Sequence, residues 1–307
     1  MVDTEPLSNK GFFACELSLQ AGEQLFATAT RVDVWLLLEY NGVWQGEAFE
    51  ESDVPPSVKQ HLAAQMAALP RPRLQLIKQG RAADWAGMLA FFVAISRDSG
   101  STLYRFDLND YDDLLKLDLP AIVAGEPVYQ KYVGDERVFL VCTNGRRDKC
   151  CAKFGPPIYA EVARAMGESA WQTTHIGGHR FSACAVFLPD GIIYGRIGDG
   201  QKLAEEYRQG RIELESYRGR SCYDEPVQAA DYFLRRETNH LNVDQIRLID
   251  VQPEGEAGWA LHFKDSSGVT HRVRVRREMS TFPIHKNSDD PQRAPVLQYR
   301  FAGHEVV

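Results

Sequence analysis

The sequence predicts an α/β fold, and three observations carry that expectation: an order of strand, helix, strand, strand, helix in the middle third, the same order in the first third, and a change of pattern after Arg218-Gly219-Arg220. In the middle, Arg137 to Cys142 reads as a buried strand, Pro156 to Met166 as a helix with proline in its first turn, and Ala170 to His175 as a second strand. Phe181 to Leu188 and Ile192 to Ile197 read as a hairpin around Pro189-Asp190-Gly191, followed by a helix from Gln201 to Arg208. In the first third, Val32 to Tyr40 is a strand, Pro56 to Ala68 a helix and Arg73 to Ile77 a strand. Met88 to Ile95 and Thr102 to Phe106 make a hairpin, and Tyr111 to Leu117 a short helix. The last part reads as a helix from Pro226 to Arg235 and strands near Gln245 to Val251, Gly258 to Phe263 and His271 to Arg276. These divisions place units at 1–122, 123–217 and 218–307, the third a small α+β region.

Composition narrows the function classes. A chain of 307 residues, 44% hydrophobic and 25% charged, has enough apolar material for two or three folded units and too little charge for disorder. A net charge of −7 argues against nucleic acid as a partner. The N-terminal MVDTEPLSNKGFFACELSLQ lacks a basic n-region and an apolar h-region, and no apolar run reaches about 18 residues. A cytoplasmic protein without membrane spans is expected.

Chemistry concentrates between Val141 and Gly195. Cys142 and Cys151 stand in C-x8-C spacing, 23 residues intervene, and His175-Ile176-Gly177-Gly178-His179 supplies H-x3-H. Two thiols and two imidazoles make a transition-metal ligand set, open on identity alone to a metalloenzyme, a zinc module or an iron–sulfur carrier. Structural zinc sites draw cysteines from a tight C-x2-4-C knuckle, so an eight-residue gap suits a larger object such as a two-iron cluster. Paired glycines cost roughly 1 kcal/mol each in a helix, so the histidine segment reads as a loop in which backbone can approach the metal group. Cys150 is a competing thiol. Adjacent side chains of an extended chain face opposite sides, so Cys150 and Cys151 are not expected to serve one metal together. Arg147 and Asp148 either orient the cysteine loop or are simply solvated, and Arg146, Lys149, Lys153 and Arg180 form either a basic rim for a partner or a solvated face. Cys184 reads as core, while Cys15 and Cys222 carry no pairing signal.

The segments CTNGRRDKCCAKFG, HIGGHRF and PDGIIYGR, with WLLLEYNGVWQGEAF and RGRSCY, resemble the sucrase/ferredoxin-like family of thioredoxin-like ferredoxins over most of the chain. That resemblance implies a 2Fe-2S cluster on a thioredoxin-like domain, with Cys142 and Cys151 on one iron and His175 and His179 on the other. Cys151 rather than Cys150 occupies the ligand position. The first-third repeat is then a degenerate thioredoxin-like copy, bare of Cys and His at the corresponding loops and suited to packing or docking. The function expected is electron transfer with a reductase or acceptor protein as partner, a carrier rather than a stand-alone catalyst. Two alternatives stand beside it: a structural zinc-binding interaction protein and a thioredoxin-like thiol oxidoreductase using Cys142 or Cys150. No phosphatase loop, C-x-x-C pair, nucleophile elbow, Walker lysine or glycosidase carboxylate pair is present, and Gly195 to Gly200 reads as a strand-to-helix turn rather than a phosphate cradle.

Overall fold

In chain order, a short helix α1 (Ala14–Gln20) leads into β1 (Val34–Glu39), α2 (Pro56–Met66), β2 (Pro72–Lys78), β3 (Leu89–Ile95) and β4 (Thr102–Leu108). These elements come from a computed structural model that describes residues 12–79 and 87–307. Residues 1–11, where most of the N-terminal leader reading falls, lie outside the described residues. After α3 (Leu119–Ala124) and a two-residue β5 (Val133–Gly134), the order returns as β6 (Val138–Cys142), α4 (Lys149–Met166), β7 (Ala170–Thr173), β8 (Ala185–Leu188), β9 (Ile192–Tyr194) and α5 (Gly200–Arg208). Then come β10 (Tyr217–Arg220), α6 (Glu225–Thr238), β11 (Ile246–Glu254), β12 (Gly258–Asp265), β13 (Thr270–His285) and β14 (Arg293–Val306).

The first ten strands form one mixed sheet in the order β10-β9-β8-β6-β7-β2-β1-β3-β4-β5. Within it, β2-β1-β3-β4 and β7-β6-β8-β9 have the same order and the same directions, a parallel first pair followed by antiparallel neighbours. The two units meet where β2 runs antiparallel to β7, Ile77 opposite Thr173 and Lys78 opposite Gln172. Strand residues alternate between faces, so each strand feeds two cores. On one face Trp35, Leu37 and Phe92 share a core with Leu140, Cys142, Trp171 and Val186 across the seam. On the other, Val34, Leu36 and Leu38 pack under α2, while Phe139, Val141 and Phe187 pack with Ile158 and Val162 of α4. A separate four-stranded antiparallel sheet, β11-β12-β13-β14, packs against α6 through Leu261, Phe263, Val273 and Val275. Among the described residues no helix is long and apolar enough to cross a membrane.

Three local expectations need correction. Helix α4 begins at Lys149 rather than Pro156, because Asp148 caps it: its Oδ1 accepts from the Cys150 N–H at 2.8 Å. Pro156 and Pro157 therefore sit inside the helix, where they forgo the backbone donors that would reach residues 152 and 153. Strand β13 runs to His285 rather than Arg276, and its partner β14 was not expected, since most of its positions are exposed or half-buried and it shows no clean apolar alternation. Cys15, expected to stand alone, is disulfide-bonded to Cys150 across 135 residues.

Candidate metal centre

Cys142 ends β6, its N–H donating to the Cys184 carbonyl at 3.0 Å, and the chain then turns into the capped first turn of α4. Consecutive helical residues point about 100° apart, not to opposite sides, and this separates the two adjacent thiols. Cys150 turns toward α1 and its disulfide, while Cys151 turns toward Cys142 and His175. Donor atoms of Cys142, Cys151 and His175 lie within 4.8 Å of one another. The fourth expected residue, His179, falls outside that compact group but faces His175, Nδ1 to Nε2, at 3.3 Å. His175 thus sits with the two thiols, which are buried to 1% exposure each, and His179 extends the set beyond it, both imidazoles being half-buried.

Electrostatics follow from this packing. The Cys151 thiol donates to the Cys142 sulfur, which holds Cys142 well below the usual thiol range despite burial, and the same shared proton with burial pushes Cys151 up. Burial and the neighbouring His175 ring lower the pKa of His179, so its imidazole stays neutral and able to ligate. The other nitrogen of His179, Nε2, lies 2.8 Å from the Lys286 carbonyl, which leaves Nδ1 turned toward His175.

A surrounding shell holds both loops. Asp148, wholly buried in its side chain, accepts from the Ser288 N–H through Oδ2 at 2.9 Å and from the Ser288 hydroxyl through Oδ1 at 3.0 Å. Arg73 donates to the His175 carbonyl at 2.7 Å, Thr30 to the Ile176 carbonyl at 3.1 Å and Arg218 to the Gly177 carbonyl at 2.9 Å. Gly177 and Gly178 have φ of 99° and 72°, a conformation that disfavours any side chain, and the space a Gly178 Cβ would need is taken by Phe181 and the Arg218 guanidinium. Arg218, Arg73 and Ser288 had no motif to betray them, although Arg218 lies in the RGRSCY segment. Ser182 Oγ approaches the Cys151 sulfur at 3.5 Å, and Cys184 is core as expected, its thiol donating to the Phe181 carbonyl. Arg147 pairs with Glu47 of the first unit rather than with the cysteine loop. Two of the four basic residues are ion-paired, Lys153 with Glu16 and Arg180 with the buried Glu23.

The donor set fits a metal group on its own chemistry. Two buried thiols sharing a proton and two imidazoles with lone pairs turned inward are soft and borderline ligands, which iron and zinc both take. A tetrahedral zinc would draw all four donors within roughly 4 Å of one another, which His179 does not satisfy as placed.

The sequence model of the family described as sucrase/ferredoxin-like matches residues 25–219, a span that includes Cys142, Cys151, His175 and His179. Over 100 residues the chain is 31% identical to "Altered inheritance of mitochondria protein 32" of Meyerozyma guilliermondii, a match that takes in 28% of this chain and 35% of that protein. The chain thus spans about a third of the length of that curated relative. No solved structure matches.

Proposed function

Since the chain belongs to the sucrase/ferredoxin-like family, we propose that it is an electron-transfer protein holding one 2Fe-2S cluster through Cys142, Cys151, His175 and His179. The observation that supports this most directly is that His179 meets His175 at 3.3 Å yet lies outside the compact group of Cys142, Cys151 and His175, so the four donors reach further than one ion requires. When bound, such a cluster would take up and return one electron, at a higher potential than four thiolates would give. The chain's own residues supply the rest. Burial of the two cysteines excludes water from the sulfur end, the Lys286 carbonyl fixes the tautomer of His179, and the Asp148 cap holds Cys151 in place. The half-buried imidazole end is the side from which a reductase or acceptor protein would exchange electrons. Within this reading each four-stranded unit is thioredoxin-like, the second carrying the cluster and the first, without ligands, serving as a packing partner along the β2–β7 seam.

One observation favours a second reading. The compact trio of Cys142, Cys151 and His175 would also suit a single zinc ion. Iron, acid-labile sulfide and zinc analysis of anaerobically purified protein, with visible and electron paramagnetic resonance spectra before and after dithionite, separates the two. About two irons and two sulfides per chain with a reduced paramagnetic signal support the proposal; stoichiometric zinc without iron in protein expressed under iron-replete conditions sinks it.

A further inference from the structure

Away from that centre, a second gathering of metal-type ligands lies between the end of α6 and the four-stranded sheet, and none of its members has a part in the proposed electron transfer. Donor atoms of His240, Asp265 and His271 lie within 4.8 Å of one another. We propose that these three residues bind a divalent transition-metal ion of the zinc class, with His304 orienting the His271 ring behind it.

Each donor is delivered by a different element and held there. Helix α6 is capped by Asn239 in the left-handed conformation, φ 58°, and the next residue is His240. The turn that carries it is pinned by Arg235, wholly buried and ion-paired with Asp231, which donates from Nη1 to the His240 and Asn242 carbonyls at 2.9 Å each. Asp265 ends β12, and its Oδ1 is saturated by the turn it opens, accepting from the Ser267 N–H at 2.9 Å, the Ser267 hydroxyl at 2.6 Å and the Val269 N–H at 2.9 Å. Its Oδ2 is left facing His271 Nε2 at 3.2 Å. That spacing is close to the separation of two ligands on one tetrahedral zinc, about 3.3 Å for bonds of about 2.0–2.1 Å. On the far side of the ring, His271 Nδ1 meets His304 Nε2 at 3.0 Å, across the β13–β14 pairing. With the ion bound, a His271 Nδ1 proton donated to His304 would leave the Nε2 lone pair for the metal beside Asp265 Oδ2, the arrangement by which outer partners set ligating histidines.

A purely structural Asp265–His271–His304 hydrogen-bond chain leaves His240 unexplained. Its Nδ1 is buried and makes no hydrogen bond, an orphan that native interiors seldom tolerate and that an ion ligated by that nitrogen would satisfy. The chemistry of the set selects the ion: two imidazoles and a carboxylate without sulfur suit zinc, and zinc outranks iron(II) and manganese(II) in the order of divalent affinities. Bound there, it would tie the turn after α6 to β12 and β13.

The test is a cobalt(II) titration of the chelator-treated full chain, followed by displacement with zinc, in wild type, His240→Ala and Asp265→Asn. The asparagine variant keeps an oxygen for Ser267 and Val269 but offers an amide where the ligand oxygen was. In wild type, one equivalent of cobalt is expected to give visible d–d bands without thiolate charge transfer, reversed by zinc; both variants lose that saturable phase while any thiolate-type signal from Cys142 and Cys151 persists. His304→Leu binds roughly 10–100-fold more weakly. Zinc raises the melting temperature of wild type by circular dichroism and leaves that of His240→Ala, whose metal-free melt serves as the folding control, in place. Absence of the sulfur-free phase in wild type, or its retention in either variant, overturns the assignment.

Discussion

Gly155→Ala puts the packing of α4 against the ligand strand to a direct test. Gly155 lies one turn beyond Cys151, with its backbone against the end of β6. A Cβ there would lie 3.1 Å from the carbonyl carbon of Cys142 and 3.2 Å from Cα of Thr143, and closer still to the Cys142 carbonyl oxygen. All three are backbone atoms, so no rotamer change relieves them. Two opposite effects compete. An alanine in a helix interior is worth about 1 kcal/mol over glycine. Inserting a methyl into a closed backbone contact costs typically about 1–3 kcal/mol, and restoring ordinary separations of about 3.5 Å requires the helix and strand to part by on the order of 1 Å. The contact wins. Because Cys142 and Cys151 are borne by those two elements, the same movement pulls their sulfurs apart by more than the few tenths of an ångström that a metal site accepts.

The expected result is a lower melting temperature for the metal-free variant and a clear fall in iron per chain, with the fold kept by far-UV circular dichroism. Thermal melts and iron analysis of paired preparations read both. A variant as stable as wild type or more so, with full iron content, would refute the reasoning, since it would mean that the helix propensity gain is realised and no contact exists.

Other outcomes follow from the same geometry. Cys142→Ser and Cys151→Ser are expected to lose the iron centre, whereas Cys15→Ser and Cys150→Ser, which break only the disulfide, keep it; full iron in Cys151→Ser would reverse the roles of the adjacent cysteines. Replacing His175 or His179 with Cys adds a negative ligand, so where a cluster survives its midpoint potential drops by about 100 mV or more; an unchanged potential in both, measured by direct electrochemistry, would remove the histidines from the ligand set. The metal-free protein has its own pH signature. Burial lowers the pKa of His179 from its ordinary 6.5, so the unfolded chain takes up a proton that the folded one refuses. Stability is thus complete above about pH 6.5 and declines as pH falls below it, and His179→Gln should flatten that decline; denaturant melts of the apo forms at pH 7.5 and 5.5 that differ equally in both proteins would refute it.

What the sequence made legible was local. The strand and helix order of both units shows in apolar runs such as Trp35 to Leu38 and Val138 to Val141, because a strand that feeds two cores must be apolar at nearly every position. The spacing of Cys142, Cys151, His175 and His179 picked out residues that the fold does bring together. The start of α4 was hidden by a stronger signal, since a Pro-Pro pair reads as a first turn while the Asp148 cap, eight residues before Pro156, has no apolar period behind it. Contacts across the chain left no pattern at all. Cys15 and Cys150 are 135 residues apart, and nothing around Arg218 indicates that its guanidinium crosses to Gly177.

The largest gap of this kind concerns residues 218–307, which read as an appendage. Ser288 and the Lys286 carbonyl, both in the turn between β13 and β14, contact Asp148 and His179, so the segment most remote in sequence closes the shell around the first turn of α4 and the histidine loop. A buried carboxylate such as Asp148 needs its hydrogen-bond donors, because an unpaired buried charge is strongly unfavourable. Of the donors found for its side chain, the Cys150 N–H comes from its own helix and two come from Ser288. Without Ser288 the cap would lose most of its partners, and the tautomer of His179 would lose its anchor at Lys286. The spacing of the proposed ligands is written within residues 142–179, but the contacts that hold those four side chains in place come from both ends of the described chain: Cys15 of α1, which ties down Cys150 beside the proposed ligand Cys151, and the β13–β14 turn, which holds the cap and the His179 imidazole.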